Sequence, residues 1–258
     1  MDHETIDRYL DRIGVADAAR RPSVELLREL QVQHLRTVPF ENLSIHLGEP
    51  IGLDEAVLID KIIDRHRGGF CYELNGAFAA LLHALGFDVT LQSAAVFAAA
   101  DRLGPPMDHL VLRVELDEPW LADVGFGRHS HDPLRFDSRA EQPDPDGTYS
   151  VADTGAGDVD VLRDGRPVYR VEFHPRVLAD FVPTCWWHQT SPTSHFTKGP
   201  TCSMLTARGR ITLAGNRLIE TTGETRRERE LPDDESILHA YRTHFGIELD
   251  RTPTVPVH

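Results

Sequence analysis

Residues 67–76 of this 258-residue chain have the sequence Arg67-Gly-Gly-Phe-Cys-Tyr-Glu-Leu-Asn-Gly76. The two glycines permit a tight turn and the close approach of another group. A cysteine that follows such a turn and opens an apolar helix lies near the positive end of the helix dipole, which lowers the pKa of its thiol. Cys71 is therefore a candidate nucleophile. A small cysteine buried at a helix start explains the residue type equally well.

A nucleophilic thiol needs a base, and several histidines lie downstream of Cys71 in the sequence. His109 begins the alternating stretch His109-Leu-Val-Leu-Arg-Val-Glu-Leu116, which predicts a strand with Leu110, Leu112, Val114 and Leu116 on one face. The competing histidines are His131, His174, His188 and His195. His109 is favoured because the strand that follows it carries a potential partner.

That partner is Asp123, which lies between apolar residues in the predicted return strand 120–124. A carboxylate there is costly unless it is paired. If residues 117–119 form a three-residue turn, paired positions sum to an even number, so His109 and Asp123 share a face. A two-residue turn would put them on opposite faces. The order Cys71, His109, Asp123 then suits a triad in which the aspartate orients the histidine and the histidine activates the thiol.

The spacing of apolar residues divides the rest of the chain into a helical part and a part that is mostly strands. Within residues 1–86 the pattern predicts four helices. The first carries Ile6 to Ile13, and the second runs from Pro22-Ser23 to about Leu35. The third follows a cap at Asp54, and the fourth runs from near Cys71 to Leu85, just before Gly86. Strands are predicted at 158–162 and 168–173 around an Arg-Asp-Gly turn, and residues 137–148 are predicted to be a loop. Short strands at 202–206, 211–213 and 218–221 precede a last helix capped by Asp233 or Asp234.

Composition excludes several classes of protein. The net charge of −14 repels nucleic acid and anionic membrane surfaces. There is no apolar stretch long enough to span a bilayer, and the sequence starts without a basic-then-apolar leader, so we expect a cytoplasmic protein. Three cysteines without a CxxC motif predict neither a disulfide framework nor a cysteine-rich zinc site, and we expect no metal.

Taken together, these motifs resemble those of the bacterial-type arylamine N-acetyltransferases. The matching pieces occur in family order over most of the chain: Tyr9-Leu-Asp-Arg-Ile13, Val38-Pro-Phe-Glu-Asn-Leu43, Arg67-Gly-Gly-Phe-Cys-Tyr-Glu-Leu-Asn75, Asp108-His-Leu-Val-Leu112, Ala122-Asp-Val-Gly-Phe-Gly127 and Thr190-Ser-Pro-Thr-Ser-His-Phe196. The segment around Cys71 is the most specific of them.

The resemblance implies an α+β fold with a cysteine-protease-like Cys-His-Asp core. Its parts would be an N-terminal helical bundle (1–86), a central β-barrel (87–190) and a C-terminal α/β lid (191–258). It implies a triad of Cys71, His109 and Asp123. In the family, acetyl-CoA acylates the cysteine, and an aromatic amine or hydrazine then takes the acetyl group. Acetyl-CoA is thus a co-substrate, and no tightly bound cofactor is expected.

The resemblance also implies binding residues. Phe40, Val96, Phe126 and Phe196 match positions that line the acceptor pocket, and Gly127 lies where the family keeps room for the thiol arm of CoA. Two features depart from the family pattern. Asp108 stands where many members have a hydroxyl residue, and its carboxylate could raise the pKa of His109 or face solvent. The loop Phe97–Met107 matches no phosphate-holding loop, which leaves Arg65, Arg67, Arg208 and Arg210 as candidates for the CoA phosphates.

Three other functions fit parts of the pattern. An amide synthase of the same fold, acting on a carrier-bound acyl chain, would share the triad and need no CoA site. A thiol hydrolase or transglutaminase-like enzyme would use the same residues with water or a peptide as acceptor. A binding module that kept the fold would have an unreactive Cys71. The sequence names neither the acceptor nor the oligomeric state.

Overall fold

The computed structural model describes residues 1–15, 21–99 and 102–255. Its N-terminal helices are α1 (His3–Ile13), α2 (Val24–Thr37), α3 (Leu43–Leu47), α4 (Glu55–Ile59) and α5 (Cys71–Ala84). Ser23 caps α2 as predicted, and Gly86 follows α5 with a φ of +88°. Asp54 precedes α4, but its side chain makes no capping hydrogen bond, and the helix continues as a π-helical turn over Asp60–Asp64.

The central part of the chain forms an antiparallel sheet. Its strands are β2 (Asp88–Ala99), β3 (Arg102–Leu103), β4 (His109–Glu115), β5 (Pro119–Ala122), β6 (Leu134–Arg135), β7 (Gln142–Asp144), β8 (Gly147–Asp153), β9 (Val159–Arg163) and β10 (Arg166–Arg176). The order is β6-β5-β4-β2-β10-β9-β8-β7, with β3 paired to β2.

The two edges of this sheet meet, which nearly closes it into the predicted barrel. The backbone N–H of Arg135 in β6 donates to the side-chain oxygen of Gln142 in β7 at 2.7 Å, and the Gln142 amide donates back to the Arg135 carbonyl at 3.1 Å. At this seam between β6 and β7, one glutamine side chain therefore makes the hydrogen bonds that a paired strand would otherwise make.

The prediction of a loop over residues 137–148 is wrong in its second half. Residues 142–144 form β7, which pairs with the start of β8, so that Gln142 lies opposite Tyr149. The prolines at 143 and 145 argued against a strand in the sequence. An edge strand tolerates proline because its outer N–H groups need no strand partner.

A smaller antiparallel sheet lies near the C-terminus. Its strands are β1 (Phe40–Glu41), β11 (Thr201–Thr206), β12 (Gly209–Ala214), β13 (Arg217–Thr222) and β14 (Thr225–Glu230), in the order β1-β11-β12-β13-β14. Helix α6 (Val182–Thr190) precedes it in the chain, and α7 (Asp234–Ala240), capped by Asp233, follows it. Its edge strand β1 comes from the N-terminal segment.

Buried apolar side chains form a separate cluster for each structural layer. Leu110, Leu112 and Val114 of β4 pack with the N-terminal helices, as the alternation predicted, whereas Val111 packs inside the barrel. A third cluster joins α3 and α7 to the C-terminal sheet. We therefore propose the division into 1–86, 87–190 and 191–258. In the parts of the chain that the structure describes, no helix is long and apolar enough to cross a membrane.

Candidate active site

The segment before Cys71 lies directly against the strand β1. The backbone N–H of Glu41 donates to the Gly69 carbonyl at 2.8 Å. A Cβ atom at Gly68 would lie 1.8 Å from the Pro39 carbonyl oxygen, and one at Gly69 would lie 2.6 Å from a Glu73 carboxylate oxygen. Both positions thus require glycine because neighbouring atoms leave no room for a Cβ atom, and not because of the backbone angle, since neither residue has a positive φ.

Charged side chains buried beneath this segment hold it in place. The guanidinium of Arg67 contacts the Glu41 carboxylate at 2.9 Å, and both side chains are almost fully buried. Lys61 donates to Glu73 at 2.5 Å and lies 4.0 Å from Glu41. Glu73 also accepts a hydrogen bond from the Phe70 N–H at 3.2 Å, just before α5 begins. We call Glu41, Lys61, Arg67 and Glu73 the buried charge network.

The network keeps Glu41 ionised. Burial acts to raise the pKa of its carboxyl group, but Arg67 and Lys61 outweigh burial, so the net pKa is lowered. Arg67 was a candidate for binding a CoA phosphate. Its side chain is only 4% exposed and already paired, so it is unsuited to that role. Arg65 pairs with Glu49 at 3.3 Å on the surface.

His109 and Asp123 form a buried pair. The distance from His109 Nε2 to Asp123 Oδ2 is 2.8 Å. The other carboxylate oxygen accepts hydrogen bonds from the Asn75 amide at 2.9 Å and from the Gly125 N–H at 2.8 Å. Burial acts to raise the pKa of Asp123, but His109 and the Asn75 hydrogen bond lower it, and the net shift is downward. Asp123 therefore stays a carboxylate that fixes the imidazole.

The strand register explains why this pair forms. Leu112 of β4 pairs with Ala122 of β5, and Glu115 pairs with Pro119, so paired positions sum to an even number as the three-residue turn predicted. The return strand ends at Ala122, one residue before Asp123. His109 and Asp123 thus lie on the same side of neighbouring strands.

Asn75 joins this barrel edge to α5, one helical turn beyond Cys71. Its amide group donates to the Leu110 carbonyl at 2.6 Å, and its oxygen accepts from the Val124 N–H at 2.9 Å. A Cβ atom at Gly125 would lie 2.6 Å from the Cys71 Cα, so a glycine is needed where the barrel meets the helix. The sequence-based interpretation of Asn75 and Glu73 as hydrogen-bond partners agrees with these contacts.

Aromatic rings enclose the imidazole of His109. The centroids of Phe126 and Tyr169 lie 5.1 and 5.3 Å from its own. Behind them lies His129, whose pKa burial lowers to about 4, so this second imidazole is neutral at pH 7. Neither Tyr169 nor His129 was expected at the site from the sequence. The only signal was their position on or beside barrel strands, which many core residues share.

The thiol of Cys71 is nearly buried, with 3% of the residue exposed. Burial raises its pKa well above the ordinary value, Cys185 and Asp108 add to the effect, and a backbone hydrogen bond with Leu110 opposes it. The expectation that the helix start lowers this pKa is therefore wrong for the free protein. The desolvation of a buried thiolate outweighs the partial charge of a helix end.

Cys71 and His109 border the same cavity, of about 300 Å³. All four residues expected in the acceptor pocket border it too, namely Phe40, Val96, Phe126 and Phe196. The other bordering residues are Asn42, Asp108, Gly125, His195, Gly199 and Thr201. Gly127 is not among them. It has a φ of +87°, and a Cβ atom there would lie 3.3 Å from the Phe40 ring.

Comparison with known proteins identifies the family. The N-acetyltransferase family model matches residues 23–254. The arylamine N-acetyltransferase of Mycolicibacterium smegmatis is 35% identical over 93% of this chain and 91% of that protein. This chain belongs to the arylamine N-acetyltransferase family. The relative from Escherichia coli K12 is 33% identical over 95% of this chain and 89% of its own.

Solved arylamine N-acetyltransferases share the fold. The M. smegmatis structure superposes with a TM-score of 0.89 at 31% identity, covering 98% of this chain and 96% of that one. The Mycobacterium marinum enzyme in complex with CoA has a TM-score of 0.85 at 30% identity, covering 94% and 92%. The α+β fold expected from the sequence is thereby confirmed, and the chain is an acyltransferase of this family.

Replacing Arg67 by leucine should destabilise the protein by about 3–5 kcal/mol, because the buried Glu41 carboxylate loses its partner. The free energy of unfolding in urea at pH 7 measures the effect. Arg65→Leu is the matched control two residues away. Its ion pair is about half exposed and should contribute less than about 1 kcal/mol. Equal losses in the two variants would contradict the role given to the network.

The same pair predicts a pH dependence. The folded-state pKa of Glu41 is lowered, so its stabilisation is present above the usual pKa of 4.5 and is lost as the pH falls through the lowered value. The difference in unfolding free energy between the wild type and Arg67→Leu should therefore shrink in this acid range. A constant difference would show that Glu41 is not the partner that matters.

Proposed function

We propose that this protein transfers an acetyl group from acetyl-CoA to aromatic amines or hydrazines through an acetyl thioester on Cys71. The observation that carries the proposal is the single cavity bordered by Cys71 and by His109, with His109 held by the buried Asp123. Membership of the arylamine N-acetyltransferase family supports the donor and the acceptor. A related enzyme from M. marinum has been solved with CoA bound.

In the first half-reaction, His109 removes the thiol proton while the sulfur of Cys71 attacks the acetyl carbonyl. Asp123 accepts a hydrogen bond from Nε2, so Nδ1 is the nitrogen left to take the proton. The new sulfur–carbon bond forms, the bond to the CoA sulfur breaks, and the imidazolium returns its proton to the departing thiolate. One thioester replaces another, so the free-energy change is small.

In the second half-reaction, the amine nitrogen attacks the carbonyl of the acetyl-Cys71 thioester. A nitrogen–carbon bond forms, the sulfur–carbon bond breaks, and His109 passes a proton from the amine to the cysteine sulfur. The enzyme returns to its starting state. Asp123 takes no proton in either step, since its lowered pKa keeps it ionised.

The raised pKa of Cys71 gives His109 a definite task. Burial raises the pKa of this thiol, which favours removal of its proton by a nearby base as the sulfur attacks. The imidazole bordering the same cavity is the group placed to take it. We therefore propose proton removal during attack, instead of a thiolate formed beforehand by the helix dipole.

The walls of the cavity suit a flat aromatic acceptor. The rings of Phe40 and Phe196 lie 6.3 Å apart between centroids, and Val96 and Phe126 add further apolar surface. Pockets for small molecules are typically apolar with a few placed polar groups. We propose Phe40, Val96, Phe126 and Phe196 as acceptor-binding residues.

A basic cleft adjoins this cavity. Val96 and Phe126 border both spaces, and the cleft of about 650 Å³ is also bordered by Arg128, Arg163 and Arg166. Arg128 and Arg163 share the Asp146 carboxylate at 2.7 and 2.8 Å, and Asp164 also borders the cleft. Three arginines thus face two carboxylates, which leaves a small excess of positive charge in a chain of net charge −14.

Such charge is what the phosphates of CoA require. We propose that the phosphates bind in this cleft and that the thiol arm passes Gly127 to reach Cys71. Gly127 lies between Phe126 of the cavity and Arg128 of the cleft in the sequence. An amide synthase that takes its acyl chain from a carrier would need no such cleft.

Mixing the protein with acetyl-CoA, without acceptor, should add one acetyl group to its intact mass. Cys71→Ala should gain nothing, and an arylamine or hydrazine should discharge the acetylated protein. Cys185 and Cys202 serve as internal controls, because neither borders the cavity. If Cys71 reacts with iodoacetamide but takes no acetyl group, the donor is wrong. Carrier-bound acyl chains would then be tried.

The pH dependence of Cys71 alkylation should report the role of His109. In the wild type the rate with iodoacetamide should level off before about pH 9, because the neutral imidazole takes the proton. In His109→Gln the rate should rise about tenfold per pH unit through that range, following the thiolate of a thiol with a raised pKa. Quantitative mass spectrometry of the labelled peptides measures both profiles.

The control for this profile is His195→Gln, since His195 borders the same cavity without contacting Asp123, and it should keep the wild-type plateau. Cys185, whose pKa burial raises to about 12, and the buried Cys202 should label far more slowly than Cys71. Identical profiles for the wild type and His109→Gln would overturn the proposed proton transfer.

Arg166→Gln should raise the KM for acetyl-CoA about tenfold and leave kcat unchanged, since one charge-assisted contact to a phosphate is worth roughly 1.5–3 kcal/mol. Arg166 is exposed and forms no ion pair within the described residues. S-acetylpantetheine lacks phosphates, and its KM should not change. Arg36→Gln, an exposed arginine of α2 that does not border the cleft, is the matched control. An unchanged KM in Arg166→Gln would contradict the binding of the CoA phosphates in this cleft.

A further inference from the structure

Asp108, the residue before His109, is fixed in position. Its Oδ1 atom lies 3.1 Å from His188 Nε2, and its Oδ2 atom accepts a hydrogen bond from the Val96 N–H at 3.3 Å. A Cβ atom at Gly104 would lie 2.2 Å from Oδ2, so the glycine lets the loop close over the carboxylate. With only 10% of its side chain exposed, Asp108 pairs with His188 and does not turn out into solvent.

Asp108 borders the reaction cavity, whereas its partner His188 does not. Asp108 lies on the cavity wall with Cys71 and His195, while His188 is 1% exposed and lies behind that wall. Its imidazole is packed among Phe70, Tyr72, Trp187 and Phe196. A substrate in the cavity therefore lies beside Asp108, and the cavity wall separates it from His188.

The charge of Asp108 acts on the groups around the substrate space. Burial raises the pKa of the Cys71 thiol, and Asp108 adds to that rise. Burial and His188 lower the pKa of His195, and Asp108 opposes them. The negative potential of this carboxylate thus reaches two separate residues of the cavity wall.

In the described part of the cavity wall, Asp108 faces no permanently charged cation. Among the bordering residues that the structure describes, there is no lysine or arginine. His195 is uncharged at neutral pH because its pKa is lowered. A substrate carboxylate brought into this space would meet a like charge, and charges partly shielded by protein interact more strongly than in bulk water.

We propose that Asp108 selects acceptors by charge, favouring aromatic amines with a neutral or cationic substituent and disfavouring those that carry a carboxylate. This inference rests on the proposed acetyl transfer and adds the class of acceptor. Asp108 is a specificity-determining residue in it. It takes no part in bond making, since His109 handles the protons of both half-reactions.

A set of three acceptors of nearly equal shape tests the proposal. The acceptors 4-aminobenzamidine, 4-aminobenzamide and 4-aminobenzoate carry the same ring amine, with a para group that is cationic, neutral or anionic at pH 7. In the wild type, with acetyl-CoA at a saturating concentration, KM should rise in that order. We expect kcat/KM for the benzoate to be about tenfold or more below that for the benzamidine. A wild-type KM that ignores the charge would overturn the proposal without any variant.

The variant Asp108→Asn removes the charge and keeps a group that can accept the Val96 hydrogen bond. The ratio of kcat/KM between benzamidine and benzoate should fall about tenfold, and the intrinsic reactivities of the two amines cancel in this comparison. Asp117→Asn, which removes the same charge from the turn after β4, should leave the ratio unchanged. A merely structural effect of Asp108→Asn would lower the rates for all three acceptors together and leave the ratio intact, which would count against the proposal.

The test separates this inference from the proposed function. If no acceptor in the set is acetylated while Cys71 still takes the acetyl group, the acceptor class of the proposed function is wrong. If all three are acetylated with equal efficiency, acetyl transfer stands and charge selection by Asp108 fails.

Discussion

The ion pair between Glu41 and Arg67 connects the C-terminal sheet to the segment that leads into Cys71. Glu41 belongs to β1 in the C-terminal sheet, and Arg67 begins the segment that leads into α5 and Cys71. Lys61 and Glu73 extend the pair to the π-helical turn and to the first turn of α5. Removing charges from water is costly, and attraction offsets that cost only when the geometry is good. The network therefore specifies where Cys71 lies more than it adds to stability.

Much of the fold and of the candidate site follows from local patterns in the sequence. The helical stripes and the Arg-Asp-Gly hairpin depend on neighbouring residues, and the structure has them where the sequence predicts them. The three-residue turn after β4 also forms, but one residue earlier than predicted, at 116–118. The pairing of His109 with Asp123 was also accessible, because strand parity is a local rule. Their separation in the sequence is only 14 residues.

The features that the sequence could not supply depend on distant neighbours. The seam between β6 and β7 is made by one glutamine side chain, and no periodicity indicates that. The pKa of Cys71 is set by how completely other elements bury it, whereas the helix start visible in the sequence contributes less. Asp108 pairs with His188 of α6, which lies 80 residues later in the chain, and nothing in the sequence spacing indicates that contact.

The position of β1 has a consequence for how the enzyme is made. This strand leaves the N-terminal segment and pairs with β11, so Phe40 lies opposite Ser203 and Glu41 opposite Cys202. During synthesis on the ribosome, β1 has no partner strand until residues 201–206 have emerged. A nascent chain can therefore form its helices and much of its barrel while the cysteine still lacks its finished surroundings. The cavity beside Cys71 is also bordered by Phe196, Gly199 and Thr201, so its wall is complete only when most of the chain has been made.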